Sequence, residues 1–270
     1  MNNFVQRTIS GAAFVVLLVA SILWSQYSFG IMFAAITALA IYEFHKLTNQ
    51  QEQVHVNSAF SIVGGLILFI SSFLFASDIF PITIYLIYGL FIVLFVLIAE
   101  LFRKKTHPIH NWAYFSLGQV FIALPFSLLN FILFIPSYQP IVLLAVFVTI
   151  WVNDTGAYLT GITFGKHRLF ERISPKKSWE GFIGGAVFAL ASGYGFSLFI
   201  PEMNLFEWLV FSEIIVIFGT FGDLTESLLK RTLNVKDSGN LIPGHGGLLD
   251  RFDSMLLAAP VIFIYLQLIQ

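Results

Sequence analysis

The sequence predicts an all-α polytopic integral membrane protein of about nine transmembrane helices, with a cytoplasmic N-terminus and a polar site at the cytoplasmic side. Three observations carry this. The 270 residues are 57% hydrophobic and only 11% charged, against about 25% charged in an ordinary soluble domain. Nine apolar stretches reach span length, at roughly 8–25, 28–44, 58–77, 80–101, 112–135, 140–164, 181–200, 207–229 and 253–270. When the connectors alternate between two sides, all 14 Lys and Arg fall on one of them, as cytoplasmic loops require.

The stretches follow in order. The first is preceded by Arg7 and followed by no small-residue cleavage site, so it reads as a retained span within the inner membrane. Pro81, Pro136, Pro140 and Pro201 sit at span starts or in short turns, and Pro125 predicts a kink inside the fifth span. Trp24, Trp112, Tyr114, Tyr138 and Trp208 lie near span ends, where amphipathic rings favour the headgroup level. The cytoplasmic segments hold Arg7, then Lys46, then Arg103, Lys104 and Lys105, then Lys166, Arg168, Arg172, Lys176 and Lys177, and finally Lys230, Arg231, Lys236 and Arg251.

Charge divides the chain in two. Residues 1–138 hold few ionisable groups, Glu43 and Glu100 among them, and read as scaffold and lipid-facing structure. Residues 139–270 hold most of the charge and read as the catalytic half. The chain has no cysteine, which excludes disulfides, thiolate metal sites and cysteine nucleophiles. A net charge of −1 argues against a nucleic-acid partner.

Three polar constellations stand out. In residues 151–185, Asn153 and Asp154 interrupt an apolar span. A carboxylate there costs about 2.5–3.5 kcal/mol on insertion scales and usually marks function, with a packing hydrogen bond as the bland alternative. Gly156, Gly161 and Gly165, with Thr155 and Thr160, form a small-residue stripe best explained by helix packing. Ser174-Pro-Lys-Lys-Ser-Trp-Glu-Gly181 follows as a basic loop suited to phosphate, or to topology and headgroup attraction alone. Trp179 is placed to anchor that loop, and Glu180 to favour a helix N-terminus.

The second constellation places Asp223, Glu226, Ser227 and Lys230 on one helix face. It suits a metal and a phosphate together, and equally a surface ion pair between Glu226 and Lys230. The third is Asn234-Val-Lys-Asp-Ser-Gly through Pro243-Gly-His-Gly-Gly-Leu-Leu-Asp-Arg-Phe-Asp253. Its glycines permit positive φ and close backbone approach, and Asp250 and Asp253 are i, i+3 at a helix start. Carboxylates with few histidines suit Mg²⁺, which binds through one or two carboxylates plus substrate phosphates. No Gly-x4-Gly-Lys-Ser/Thr loop and no Ser-His-Asp arrangement is present. The chemistry indicated is metal-assisted phosphoryl or nucleotidyl transfer at a membrane surface.

Ser227-Leu-Leu-Lys230-Arg231, then Lys236-Asp237, then Ile242 through Asp253 resembles the C-terminal signature of the phosphatidate cytidylyltransferases (CDP-diacylglycerol synthases). Asn153 through Tyr158 and Ser174 through Gly181 resemble further motifs of that family. The resemblance is strong over about 150–255, while the N-terminal half matches only as apolar spans. It implies transfer of CMP from CTP to phosphatidic acid, giving CDP-diacylglycerol and pyrophosphate. Mg²⁺, often a monovalent cation such as K⁺, membrane lipids and a homodimer belong to the same expectation.

The roles it implies are specific. Asp223 and Asp250 hold metal, with Asp154 and Asp253 as ligands or supports beside them. Lys230, Arg231, Lys236 and Arg251, with Lys176 and Lys177, bind the phosphates. Ser174, Ser227, Gly246 and Gly247 border the nucleotide, and Asp237 and His245 complete the set, His245 contacting a phosphate or orienting an aspartate. Two rivals differ in class or substrate. A transporter would suit intramembrane charge, but the charge gathers at one face and no inverted repeat is visible. A related nucleotidyltransferase acting on an isoprenoid ether lipid shares the motifs. The CDP-alcohol phosphotransferases are disfavoured, because their Asp-x2-Asp-Gly-x2-Ala-Arg pattern is missing.

Overall fold

A computed structural model describes the chain apart from residues 1–2, 136, 240, 242–245 and 270, with backbone alone for 3–7. Helices coincide with all nine apolar stretches. They are α1 (Asn3–Trp24), α2 (Gln26–Thr48), α3 (Ser58–Ala76), α4 (Ile82–Phe102), α5 (Pro108–Leu133), α6 (Pro140–Phe164), α7 (Trp179–Phe199), α8 (Leu205–Thr232) and α9 (Leu249–Ile269). The eight from α2 onward are long and apolar enough to cross a membrane, and Thr8–Trp24 of α1 is a shorter apolar helix. The protein is thus a predominantly helical, polytopic membrane protein.

Helix starts follow local chemistry. Ser25 caps α2, its hydroxyl accepting from Ser28 N at 3.1 Å while Ser28 Oγ accepts from Ser25 N. Asn57 caps α3, and Asn204 caps α8 in a reciprocal pair with Glu207. Each cap satisfies amide donors that a helix start leaves open. At Pro125, a π-helical run over Gln119–Ala123 precedes the proline. That widened turn accommodates the ring and its missing N–H.

The chain divides into two compact units. One comprises Met1–Tyr138 and Asp237–Arg251, the other Gln139–Lys236 and Phe252–Gln270. The first has an aromatic centre of Phe29, Phe33, Phe69 and Phe126, with Phe29 and Phe33 stacked at 4.5 Å. A buried polar cluster lies beside it: His45 Nε2 is 2.7 Å from Ser61 Oγ, and Gln119 Nε2 donates to Ser61 O at 2.9 Å.

In the second unit α6 and α7 form the most extensive helix pair. Their contact needs small residues. A Cβ on Gly156 would meet Phe188 Cβ at 2.7 Å, and one on Gly181 would meet Ala157 O at 2.9 Å. Gly156, Thr160 and Gly161 of the small-residue stripe lie at this contact, whereas Thr155 is exposed and donates to Trp151 O of its own helix.

Two readings need correction. Residues 168–178 are not plain loop but an antiparallel hairpin, β1 (Arg168–Phe170) and β2 (Ser174–Ser178), paired Arg168 with Ser178 and Phe170 with Ser174. The pairing is irregular between these points, where Pro175 has no N–H to give. Trp208 is not a headgroup anchor. It is fully buried, its indole donating to Ile200 O at 3.2 Å, and it packs on Phe196 and Phe211.

Candidate active site

A cavity of about 310 Å³ opens in the second unit, where the C-terminal half of α6, the hairpin, the start of α7, α8 and α9 converge. Asn153, Asp154, Tyr158, Lys176, Lys177 and Asp223 supply most of its polar lining, with Ser178, Thr220 and Ser254. Its size is at the lower end for small-molecule pockets, roughly 300–1,000 Å³.

Local structure sets each of these side chains. Asp154 follows the buried Asn153 on α6 and is itself exposed toward the opening. Ser178 ends β2 and caps α7, accepting from Gly181 N at 3.1 Å. The base of the hairpin is tied to the same helix start: Trp179 N donates to His167 O at 2.9 Å. Glu180 Oε2 accepts from Lys166 N and His167 N at 3.1 and 3.2 Å, and Glu180 Oε1 lies 2.6 Å from His167 Nδ1. A carboxylate at a helix N-terminus is favourable by itself; here it also ties down the residues that lead into β1, the strand paired with the one that carries Lys176 and Lys177.

Lys177 Nζ meets Asp223 Oδ2 at 2.6 Å, and Ser227 Oγ donates to Asp223 Oδ1 at 3.2 Å. One turn further along α8, Glu226 pairs with Lys230. The sequence allowed that pair to be a surface contact; the structure buries both residues. Asp253, on α9, has Asp223, Glu226 and Asp154 as its charged neighbours, and its Oδ1 accepts from Ser254 N at 2.6 Å. Gly222 allows this approach, because its Cα side faces the backbone oxygens of Asp253 and Ser254.

This donor set fits a hard divalent cation. Among the described residues three aspartates gather with two lysines among them, and the ligand atoms these aspartates offer are oxygens. Among the described residues no group of three or more His, Asp or Glu forms a ready cage. An ion that keeps substrate phosphates in its coordination needs no such cage.

The remaining predicted residues fall elsewhere. Arg231, in the last turn of α8, donates from Nη1 to Val235 O at 3.3 Å; Lys236 is exposed beyond it, and Ser174 opens β2. Asp237, Gly246, Gly247, Asp250 and Arg251 belong to the first unit. Gly246 has φ +82°, the left-handed conformation glycine alone adopts freely. Asp250 Oδ2 accepts from Gly247 N at 2.9 Å and from Ser238 N and Oγ, each at 3.0 Å. Gly244 and His245, like Pro136, lie outside the described residues.

The profile of the Cytidylyltransferase family matches residues 5–269. The chain belongs to the cytidylyltransferase family. It is 32% identical over 99% of both chains to the phosphatidate cytidylyltransferase of Bacillus subtilis (strain 168). It is 45% identical over 130 residues to that of Haemophilus influenzae, covering 46% of this chain and 45% of the relative. Against that of Staphylococcus haemolyticus it is 48% identical over 126 residues, covering 46% and 48%. Cytidylyltransferase membership removes the transporter reading, and it makes the chain a nucleotidyltransferase.

One residue of this cytidylyltransferase escaped the sequence reading. Glu43 of α2, read as scaffold, is buried, and its Oε2 accepts from Leu248 N at 2.6 Å and Leu249 N at 3.0 Å. No local pattern signals a contact across 205 residues; a lone carboxylate in an apolar helix was the available clue.

Proposed function

We propose that the chain transfers the cytidylyl group of CTP to phosphatidate, forming CDP-diacylglycerol and releasing pyrophosphate, at the cavity of the second unit. Family membership and the printed name of its relatives support the reaction. The observation that carries the location is the meeting of Asp154 and Asp223 with Lys176 and Lys177 around one opening among apolar helices, with Asp253 a charged neighbour of both aspartates. The nine apolar helices and the one-sided distribution of all 14 Lys and Arg support nine spans with the N-terminus and this opening in the cytoplasm.

A phosphate oxygen of phosphatidate attacks the α-phosphorus of CTP, and the bond from that phosphorus to the bridging oxygen of the β-phosphate breaks. The lipid phosphate is already anionic near neutral pH, so no strong base is required. Lys176 and Lys177, on β2 of a hairpin whose entry is tied down by Glu180, hold and orient phosphate oxygens. Ser227 keeps Asp223 in place. Lys230, paired with Glu226, carries positive charge beside the departing pyrophosphate, with Arg231 and Lys236 at the exposed end of α8. Asp223 and Asp253, with Asp154 beside them, would hold Mg²⁺; Asp250 is a candidate ligand by its motif alone. When bound, the ion lowers the repulsion between the two anionic substrates and stabilises the leaving group. K⁺ and a homodimer belong to this reading as expectations from the family.

The test uses purified protein with phosphatidate, Mg²⁺ and CTP labelled at the α-phosphate. The label moves into the organic phase, a chelator stops the transfer, and Asp223→Asn slows it by about 100-fold or more. Full turnover by Asp223→Asn would remove Asp223 from the site.

A further inference from the structure

Glu43 lies in the half of the chain with no recognisable motif, yet its side chain organises the most distinctive motif in the sequence. It stands in the C-terminal part of α2, and its Oε2 receives the amides of Leu248 and Leu249, which open α9. Ser238 Oγ, 3.5 Å from the same oxygen, also contacts Asp250 Oδ2 at 3.0 Å. Asp250 Oδ2 in turn receives Ser238 N and Gly247 N. Two carboxylates thus grip one loop, Asp250 from inside it and Glu43 from a helix about 200 residues away. All of these residues lie in the first compact unit.

The loop is built around that grip. A Cβ on Gly239 would land on Glu43 Oε1, and one on Gly247 would reach Glu43 Oε2 at 2.9 Å after colliding with Ser238 Oγ. Glu43 Oε1 has no hydrogen-bond partner among the described residues, and the hydrogen bonds of this buried carboxyl all run from Oε2 to the loop and the start of α9. At the C-terminal part of α2 a carboxylate opposes that helix's dipole; at the N-terminus of α9 it complements it. The placement is explained by the loop rather than by its own helix.

We infer that Glu43 is a positioning residue: it fixes the Gly246–Asp250 turn and the first turn of α9, and through them sets turnover without touching substrate. The inference rests on the proposed reaction, but one of its two tests does not. Deuterium exchange in the full-length protein reads the amides directly. In Glu43→Ala the peptide containing Leu248 and Leu249 exchanges about tenfold faster or more, while peptides from α3 are unchanged. Glu43→Gln keeps an acceptor of the same reach and falls between wild type and Glu43→Ala.

Cytidylyl transfer should fall in the same order, mainly in kcat, with KM for CTP within about threefold. Melting temperatures are measured alongside. If Glu43→Ala folds and its Leu248–Leu249 peptide exchanges as in the wild type, the inference fails, whatever the activity. If exchange rises at the turn but kcat per folded molecule is unchanged, the loop contact stands and the positioning role is overturned. If Glu43→Ala does not fold, Glu43→Gln decides by the same criteria. Absent transfer in the wild type would overturn the reaction, leaving the exchange result to judge Glu43.

Discussion

Single charges carry most of the proposed function, because only 11% of the chain is charged. Asp154, Lys177, Asp223 and Asp253 were legible in the sequence because ionisable groups beside or within apolar helices are costly and need a reason. The structure adds which of them meet: Lys177 with Asp223 at 2.6 Å, and Asp253 near Asp154, Asp223 and Glu226. The Lys177–Asp223 pair is about 30% exposed on each side, so its own contribution to stability is small, below about 1 kcal/mol. In the proposed reaction its value is in holding phosphate and metal. Lys177→Met should therefore leave the melting temperature nearly unchanged while kcat/KM for CTP falls about 10- to 100-fold, read from initial rates. Glu43 shows the opposite case. Its partners Leu248 and Leu249 offer only backbone amides, which no sequence pattern marks. Leaving those two buried donors unpaired would cost about 1–3 kcal/mol each.

At the level of elements, the nine apolar stretches announced the helices because span length and hydropathy are properties of composition. The caps that fix their starts, at Ser25, Asn57 and Asn204, went unread in the sequence, because single polar residues beside a span do not stand out from its connectors. The hairpin was not legible either. Arg168-Leu-Phe is too short to show an alternation, and Ser-Pro-Lys-Lys-Ser has a proline that argues against a strand. The π-helical runs at Ile92–Ile98 and Gln119–Ala123 are likewise invisible to periodicity.

The approach of α8 to α9 depends on Gly222. A Cβ there would meet Ser254 O at 3.1 Å and press harder on Asp253 O; both are backbone atoms that cannot swing aside. Gly222→Ala is expected to destabilise the protein by about 1–3 kcal/mol and to depress transfer, since Asp223 and Asp253 flank that contact. Gly195→Ala is the control. Nothing lies within 4 Å of its Cβ position, and alanine improves a helix interior by up to about 1 kcal/mol, so stability holds or rises and activity stays. Thermal melts and transfer rates on the two variants separate close packing from a general intolerance of change.

Across the whole molecule, the reaction requires a border. CTP is confined to water and phosphatidate to the membrane, and in the proposed orientation the charged residues of a 57% hydrophobic chain collect where the two can meet. Family membership fixes the chemistry, and the proposed side rests on the Lys and Arg of the loops. The measurement that tests this most directly places α-labelled CTP on one side only of sealed vesicles that carry the protein in a known orientation, with phosphatidate and Mg²⁺ supplied. Label should enter the lipid when CTP is on the side of the Lys- and Arg-bearing loops, and should stay in water when CTP is on the other. Equal labelling from both sides, or labelling only from the opposite one, would contradict the account.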